Sequence, residues 1–181
     1  MIAFVFRGMR RSRSISARER AMTDQSEVAI SHLQRRKIEG RVLIPFLQAV
    51  TEKFGEAAMH EVLDATIRRI ATEDGAAWAK TFGRTTASMR QVAEEVWAGG
   101  GGMDVDVKSE TDDRLDFNVT RCGYADFYKQ LGLAELGYRI HCSRDHAAVA
   151  GFNDELELSR SQTIMQGAAC CDFRFRKKVP A

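Results

Sequence analysis

Residues 103–122 read M-D-V-D-V-K-S-E-T-D-D-R-L-D-F-N-V-T-R-C. Met103, Val105 and Val107 alternate with polar partners, the period-two pattern of a strand with one buried face. The turn T-D-D interrupts the alternation, and Leu115, Phe117 and Val119 resume it on the far side, which predicts an antiparallel hairpin. Further on, E-L-E-L-S-R-S-Q-T (155–163) and C-D-F-R-F-R (171–176) alternate in the same way, separated by a turn at Gly167. Four antiparallel strands are therefore expected.

Upstream of the glycine run Gly99 to Gly102 the apolar period is three to four, and the chain is predicted helical. Residues 24–38 are polar and amphipathic, with Val28, Ile30 and Leu33 as thin apolar punctuation, and Gly40 is expected to loosen the chain. Leu43, Phe46, Leu47, Val50 and Phe54 then mark a helix ending at Gly55, with Pro45 in its first turn, or at a kink if a preceding helix runs through. Met59, Val62, Leu63, Ile67 and Ile70 mark a second helix. A third spans Trp78 to Trp97 with an interruption near Gly83. Between strands two and three, Y-A-D-F-Y-K-Q-L-G (124–132) forms a short helix closed by Gly132, residues 134–151 form another, and G-F-N-D (151–154) turns the chain. The expected architecture is α+β: an N-terminal helical layer packed on a C-terminal four-stranded antiparallel sheet with a helical insertion.

At 181 residues, 44% apolar and 29% charged, the chain suits one domain with a core of its own. No apolar run is long enough for a membrane span, so a soluble protein with no membrane partner is expected. Residues 1–22 carry six arginines against Glu19 alone, which leaves 21 basic and 24 acidic residues in the body. That acidic body gives no electrostatic case for a nucleic-acid partner. Residues 1–22 are read as a disordered basic tail or an extension from an upstream start, with Met22 opening the functional chain and residues 23–181 forming the single domain. Four cysteines without a secretion signal argue for a reducing, cytoplasmic setting and against a disulfide framework. Their spacings of 20, 28 and 1 contain no C-x-x-C pair, so no metal is assigned. Three thiols with His141 leave a zinc-containing alternative open.

Cys142 is the sharpest chemical candidate. It sits in H-C-S-R-D, and cationic neighbours favour a thiolate. On a helix, Cys142 and Asp145 are i and i+3 and share a face. The plain alternative is a buried, inert cysteine. Cys122 opens the short helix, whose N-terminus also favours thiolate. Cys171, Phe173 and Phe175 should share one face of the last strand, where core packing is the simpler role for Cys171, and Cys170 points away. His141 and His146 splay apart on a helix and make poor co-ligands, although either can serve as a general base. Arg160, if it points inward, must meet an anion, and Asn153 is first a turn residue.

Taken in order, C-G-Y-A-D-F-Y-K-Q-L-G-L-A-E-L, C-S-R-D, G-F-N, L-S-R-S-Q-T-I-M-Q-G and C-D-F-R-F resemble the L-2-amino-thiazoline-4-carboxylic acid hydrolase family over about residues 40–176. The residues that carry the likeness are Cys122, Cys142, Asp145, Asn153, Arg160, Thr163, Gly167 and Cys171. The arginine-rich amino-terminus departs from the family pattern. The resemblance implies a cytoplasmic, cofactor-free hydrolase of a cyclic, non-peptide C–N bond, taking a small substrate that bears a carboxylate. Its type reaction opens 2-aminothiazoline-4-carboxylate to N-carbamoyl-cysteine. Cys142, Asp145 and His141 are the expected catalytic residues; Arg160, Asn153, Cys122, Thr163 and Cys171 are the expected substrate contacts. A homo-oligomer is compatible with this assignment. The alternative from another class is a non-catalytic small-molecule-binding or sensor domain, related to vinyl-reductase-type ligand-binding modules that end in a similar cysteine–phenylalanine strand.

Overall fold

The computed structural model describes residues 30–178. The expectations for the 1–22 tail and for Met22 as the opening residue lie outside the described residues. Helix α1 (His32–Phe54) opens on a capping box, in which Ser31 Oγ accepts from Gln34 N at 3.2 Å and Gln34 Oε1 accepts from Ser31 N at 2.9 Å. It runs straight through Gly40 and Pro45, so the predicted break at Gly40 does not occur. Gly40 serves close packing instead: a Cβ there would stand 3.1 Å from the Phe127 ring and 3.3 Å from the Tyr128 hydroxyl. Leu33, Ile44 and Leu47 are buried, whereas Phe46 and Phe54, which belong to the apolar pattern that marked the helix, are 62% and 63% exposed.

Helix α2 (Glu56–Phe82) is likewise longer than its periodicity suggested, and it merges the second predicted helix with the start of the third. It stops at Gly83, whose φ of 93° lies in the left-handed region. Helix α3 (Thr86–Gln91) continues as a π-helical turn, Val92–Trp97, before the glycine run. The hairpin follows as predicted: β1 (Met103–Thr111) pairs antiparallel with β2 (Arg114–Cys122).

The insertion comprises α4 (Gly123–Gln130), α5 (Ala134–Gly137), a π-helical turn Tyr138–Cys142, and α6 (Asp145–Phe152). The single helix expected over 134–151 is therefore three pieces, and the chain between Cys142 and Asp145 is a turn. Strands β3 (Leu156–Ser159) and β4 (Cys171–Lys177) complete a sheet of order β1-β2-β4-β3, antiparallel throughout. β3 ends before Arg160, four residues earlier than the alternation implied.

The inner face of the sheet carries Leu115, Phe117 and Val119 from β2 and Cys171, Phe173 and Phe175 from β4, all buried. Phe117 and Phe173 stand opposite each other in the register and stack at 4.9 Å between centroids. The helices cover this face. α2 and α6 meet almost backbone to backbone, because Gly75 and Gly151 sit where they cross. The result is the expected α+β arrangement, with α4–α6 inserted between β2 and β3. No helix among the described residues is long and apolar enough to cross a membrane.

Candidate functional site

Where the helices lie over the inner face of the sheet, a cavity of about 70 Å³ remains, lined by His32, Trp78, Trp97, Met103, Cys122, Tyr124, His141, Cys142, Arg144, Asp145, Ala148, Arg160, Cys171 and Phe173. On the same scale one water needs roughly 10–15 Å³, so a small heterocycle is the size of ligand it suits. Almost every element contributes a wall. Two of the contributions depend on π-helical turns: Trp97 ends the first, and His141 and Cys142 end the second. Such one-residue expansions recur at functional sites.

Of the residues expected from the sequence, His141, Cys142, Asp145, Arg160, Cys122 and Cys171 line this cavity. Asn153 and Thr163 do not. Asn153 Nδ2 donates to the Arg84 carbonyl at 2.7 Å and its Oδ1 accepts from Glu155 N at 2.9 Å, a turn-fixing role. Thr163 caps the short 3₁₀ turn Ile164–Gln166, where its Oγ1 accepts from Gln166 N at 3.2 Å. His146 is exposed, whereas His141 is enclosed between the rings of Tyr124 and Tyr128 at 5.5 and 5.1 Å.

Asp145 and Arg160 face each other. Arg160 Nη1 donates to Asp145 Oδ2, its Nη2 donates to the Cys142 carbonyl at 2.9 Å, and its guanidinium lies 5.2 Å above the Phe173 ring. One side chain thus ties the start of α6, the end of the preceding π-helical turn, and β4 together. Its inward aim is set by the next two residues. Asp172 on β4 accepts from Ser161 N at 3.0 Å, Ser161 Oγ at 2.6 Å and Gln162 N at 2.9 Å, and so pins the loop that follows Arg160. Burial pushes the Asp145 carboxyl above the usual carboxylate range even against the pull of Arg160.

The thiols differ from the sequence expectation. Burial, reinforced by the Asp145 carboxylate, pushes Cys142 well above the ordinary thiol value; Arg160 opposes this without overcoming it. Burial also raises Cys122, although its Sγ accepts from Ala125 N at the start of α4, and it raises Cys171 to about 11. The predicted thiolate-favouring neighbours are therefore outweighed by desolvation. The thiols and His141 do not form a preassembled metal site. Among the described residues, side chains close enough to share an ion occur at Glu56, His60 and Glu135, away from the cavity lining.

Four further contributors, His32, Arg144, Trp78 and Trp97, were not among the site residues expected from the sequence. His32, from the first turn of α1, donates or accepts through Nδ1 with the Tyr124 hydroxyl at 2.8 Å, and that hydroxyl reaches the Trp97 carbonyl at 3.1 Å. Arg144, 7% exposed, pairs with Asp74 of α2. Trp78 and Trp97 meet edge to face at 5.9 Å, and Trp97 leans on Phe173 at 6.0 Å, forming an aromatic wall.

The chain is similar in structure to a trafficking protein particle complex subunit 3 from Naegleria fowleri, solved covalently bound to palmitic acid. The likeness has a TM-score of 0.49 and 13% sequence identity, and covers 79% of this chain and 95% of that one. No curated protein matches in sequence. The sequence model of the L-2-amino-thiazoline-4-carboxylic acid hydrolase family matches residues 35–175. That span takes in the sheet, the insertion and nearly every residue of the cavity wall, and the chain belongs to the L-2-amino-thiazoline-4-carboxylic acid hydrolase family.

Proposed function

We propose that the protein is a hydrolase of small cyclic amidines bearing a carboxylate, of the 2-aminothiazoline-4-carboxylate type, acting in this cavity. What supports this is the convergence of His141, Cys142, Asp145 and two arginines on one enclosed space in a chain of this family. The electrophile is the ring carbon bonded to two nitrogens and the sulfur. Its amidinium form pairs with the Asp145 carboxylate, which Arg160 holds in direction. Burial, with Arg36 and Arg144 nearby, keeps His141 well below its ordinary pKa and so neutral, with a lone pair to take a proton from water as the oxygen adds. The tetrahedral carbon then expels the ring sulfur, which receives that proton from His141. As the carbonyl forms, the hydroxyl proton on the carbon, which balances the one the amidinium brought in, passes to Asp145 and on to solvent. One water is consumed, and N-carbamoyl-cysteine leaves; the bond that breaks on this route is the ring carbon–sulfur bond, in place of the C–N bond expected from the resemblance. Breaking the ring C–N bond instead gives the S-carbamoyl isomer with no free thiol, so the product identifies the bond.

Cys142 is a thiol in the free protein, so the first attack is assigned to water. Its position beside Asp145 favours a second route, in which Sγ adds to the same carbon while its proton passes to Asp145. The ring sulfur leaves and takes that proton, and one water then displaces Sγ to free the same product and restore the Cys142 thiol. The test is turnover of 2-aminothiazoline-4-carboxylate, followed by thiol release and by the mass of the product. One thiol per turnover is expected. His141→Ala should lower kcat by roughly 10²–10⁴-fold, while Cys142→Ala retains measurable turnover. Complete loss in Cys142→Ala, with an adduct on that cysteine in the unaltered protein, selects the covalent route. No turnover by the unaltered protein selects the non-catalytic binding module.

A further inference from the structure

We propose that Arg144 anchors the carboxylate of the ligand in this cavity, with Asp74 and Arg36 holding its guanidinium in place. This deepens the hydrolase assignment and rests on it only for the identity of the ligand's ring. Two guanidiniums line the cavity, and they are placed differently. Arg160 is engaged on both terminal nitrogens, by Asp145 and by the Cys142 carbonyl, with its face on Phe173. It positions Asp145 and has little left to offer a ligand. Arg144 has one side-chain partner among the described residues, Asp74, reached through Nη2.

That partner is shared. Arg36 Nη2 donates to the same Asp74 oxygen at 3.1 Å, while its Nη1 turns outward to the half-exposed Glu39 at 2.8 Å. Asp74 is therefore divided between two nearly buried guanidiniums, and because the second carboxylate on Arg36, Glu39, is half exposed and screened by solvent, Arg144 is the under-compensated cation at this end of the cavity. Of the neighbouring wall, His32, Tyr124 and Trp78 carry no negative charge, and the one lining carboxylate that also acts on Arg144, Asp145, is already paired with Arg160. A buried cation without full compensation is costly, and an anion entering beside Arg144 removes that cost. The potential is visible elsewhere: Arg36 and Arg144 both contribute to keeping His32 and His141 neutral. Arg144 and Asp145 are consecutive, so one turn presents a cation and an anion to the same small space. That suits a ligand whose carboxylate and amidinium lie a few bonds apart.

The test is calorimetric binding of two matched pairs, 2-aminothiazoline-4-carboxylate against 2-amino-2-thiazoline, and thiazole-4-carboxylate against thiazole. The protein should favour each carboxylate by roughly 10- to 100-fold, the range of a charge-assisted hydrogen-bonded pair. Arg144→Gln, which leaves Asp74 paired with Arg36, should abolish the preference without weakening the member that lacks the carboxylate. Arg144→Lys, which keeps the charge but gives up the fork, should fall between and covers the case of a misfolded glutamine variant. A preference that survives in both variants, or that is absent from the unaltered protein for both pairs, overturns the proposal. Arg144-dependent preference for the thiazole pair without turnover of the thiazoline keeps the anchor and rejects the hydrolase assignment.

Discussion

The Tyr124 hydroxyl has one hydrogen and two neighbours, the Trp97 carbonyl and His32 Nδ1. A carbonyl only accepts, so Tyr124 donates to Trp97 and His32 donates through Nδ1 to Tyr124. Burial, followed by Arg36, Arg35 and Arg144, lowers His32 from 6.5 to about 3, so the ring is neutral and its buried Nε2 is a lone pair with no partner among the described residues. The unfolded chain takes up this proton near pH 6.5 and the folded chain only near 3. The stability it represents is thus fully present above 6.5 and is lost as pH falls toward 3. Between pH 6.5 and 4.5, unfolding in urea should show a loss of up to about 2–3 kcal/mol from this group, and His32→Gln should remove that part of the pH dependence. Equal slopes in the two proteins would refute the assignment. The thiols give a second prediction at this scale. With the three cavity thiols raised by burial, iodoacetamide at pH 7–8 should label Cys170 first and Cys142 slowly, read residue by residue in a mass spectrometer. Rapid, selective labelling of Cys142 would show that its thiolate is accessible after all.

The crossing of α2 and α6 decides where the turn between Cys142 and Asp145 sits. A Cβ on Gly75 would lie 2.8 Å from the Phe152 nitrogen and closer still to the Ala148 carbonyl oxygen, and one on Gly151 would lie 2.9 Å from the Thr72 carbonyl carbon. Neither obstacle is a flexible side-chain end, so Gly75→Ala must push the helices apart. It should cost roughly 2–3 kcal/mol, a Tm drop of about 5–10 °C for a chain of this size. Because α6 begins at Asp145, turnover should fall by more than the folded fraction does; an unchanged Tm would show that the crossing is not rigid. This contact also marks what the sequence conceals about elements. The hairpin, α4 and β4 were legible because alternation and period are local properties of the chain. Gly40 and the Gly151 turn were misread because glycine placed for close approach looks, in one dimension, the same as glycine placed to break a helix. The two π-helical turns had no signal at all, since one extra residue in a turn leaves the apolar spacing nearly unchanged.

For the whole molecule, the cavity is where α1, α2, the first π-helical turn, the hairpin, α4, α6 and β4 all meet. The chemically dense half of its wall was legible: His141, Cys142, Asp145 and Arg160 fall in one short stretch whose residue types advertise chemistry. The other half was not. His32, Trp78 and Trp97 are separated from that stretch by long intervals, and each looks like ordinary helix until the layers close over the sheet. Arg144 was visible in the sequence only as a neighbour of Cys142, because its significance depends on Asp74, seventy residues earlier. A wall drawn from so many elements has a consequence for stability. A ligand that fills the cavity binds only the assembled fold, so at a hundredfold excess over its Kd it should add about 2.7 kcal/mol. That corresponds to a Tm rise of about 5–10 °C for a chain of this size. Amide exchange should slow in the first turn of α1 together with residues 141–146, two segments distant in sequence and joined only through the cavity. Protection confined to the surface groove around Asp64 and Arg139, with α1 unaffected, would place the ligand outside the cavity and remove the basis for assigning the reaction to it.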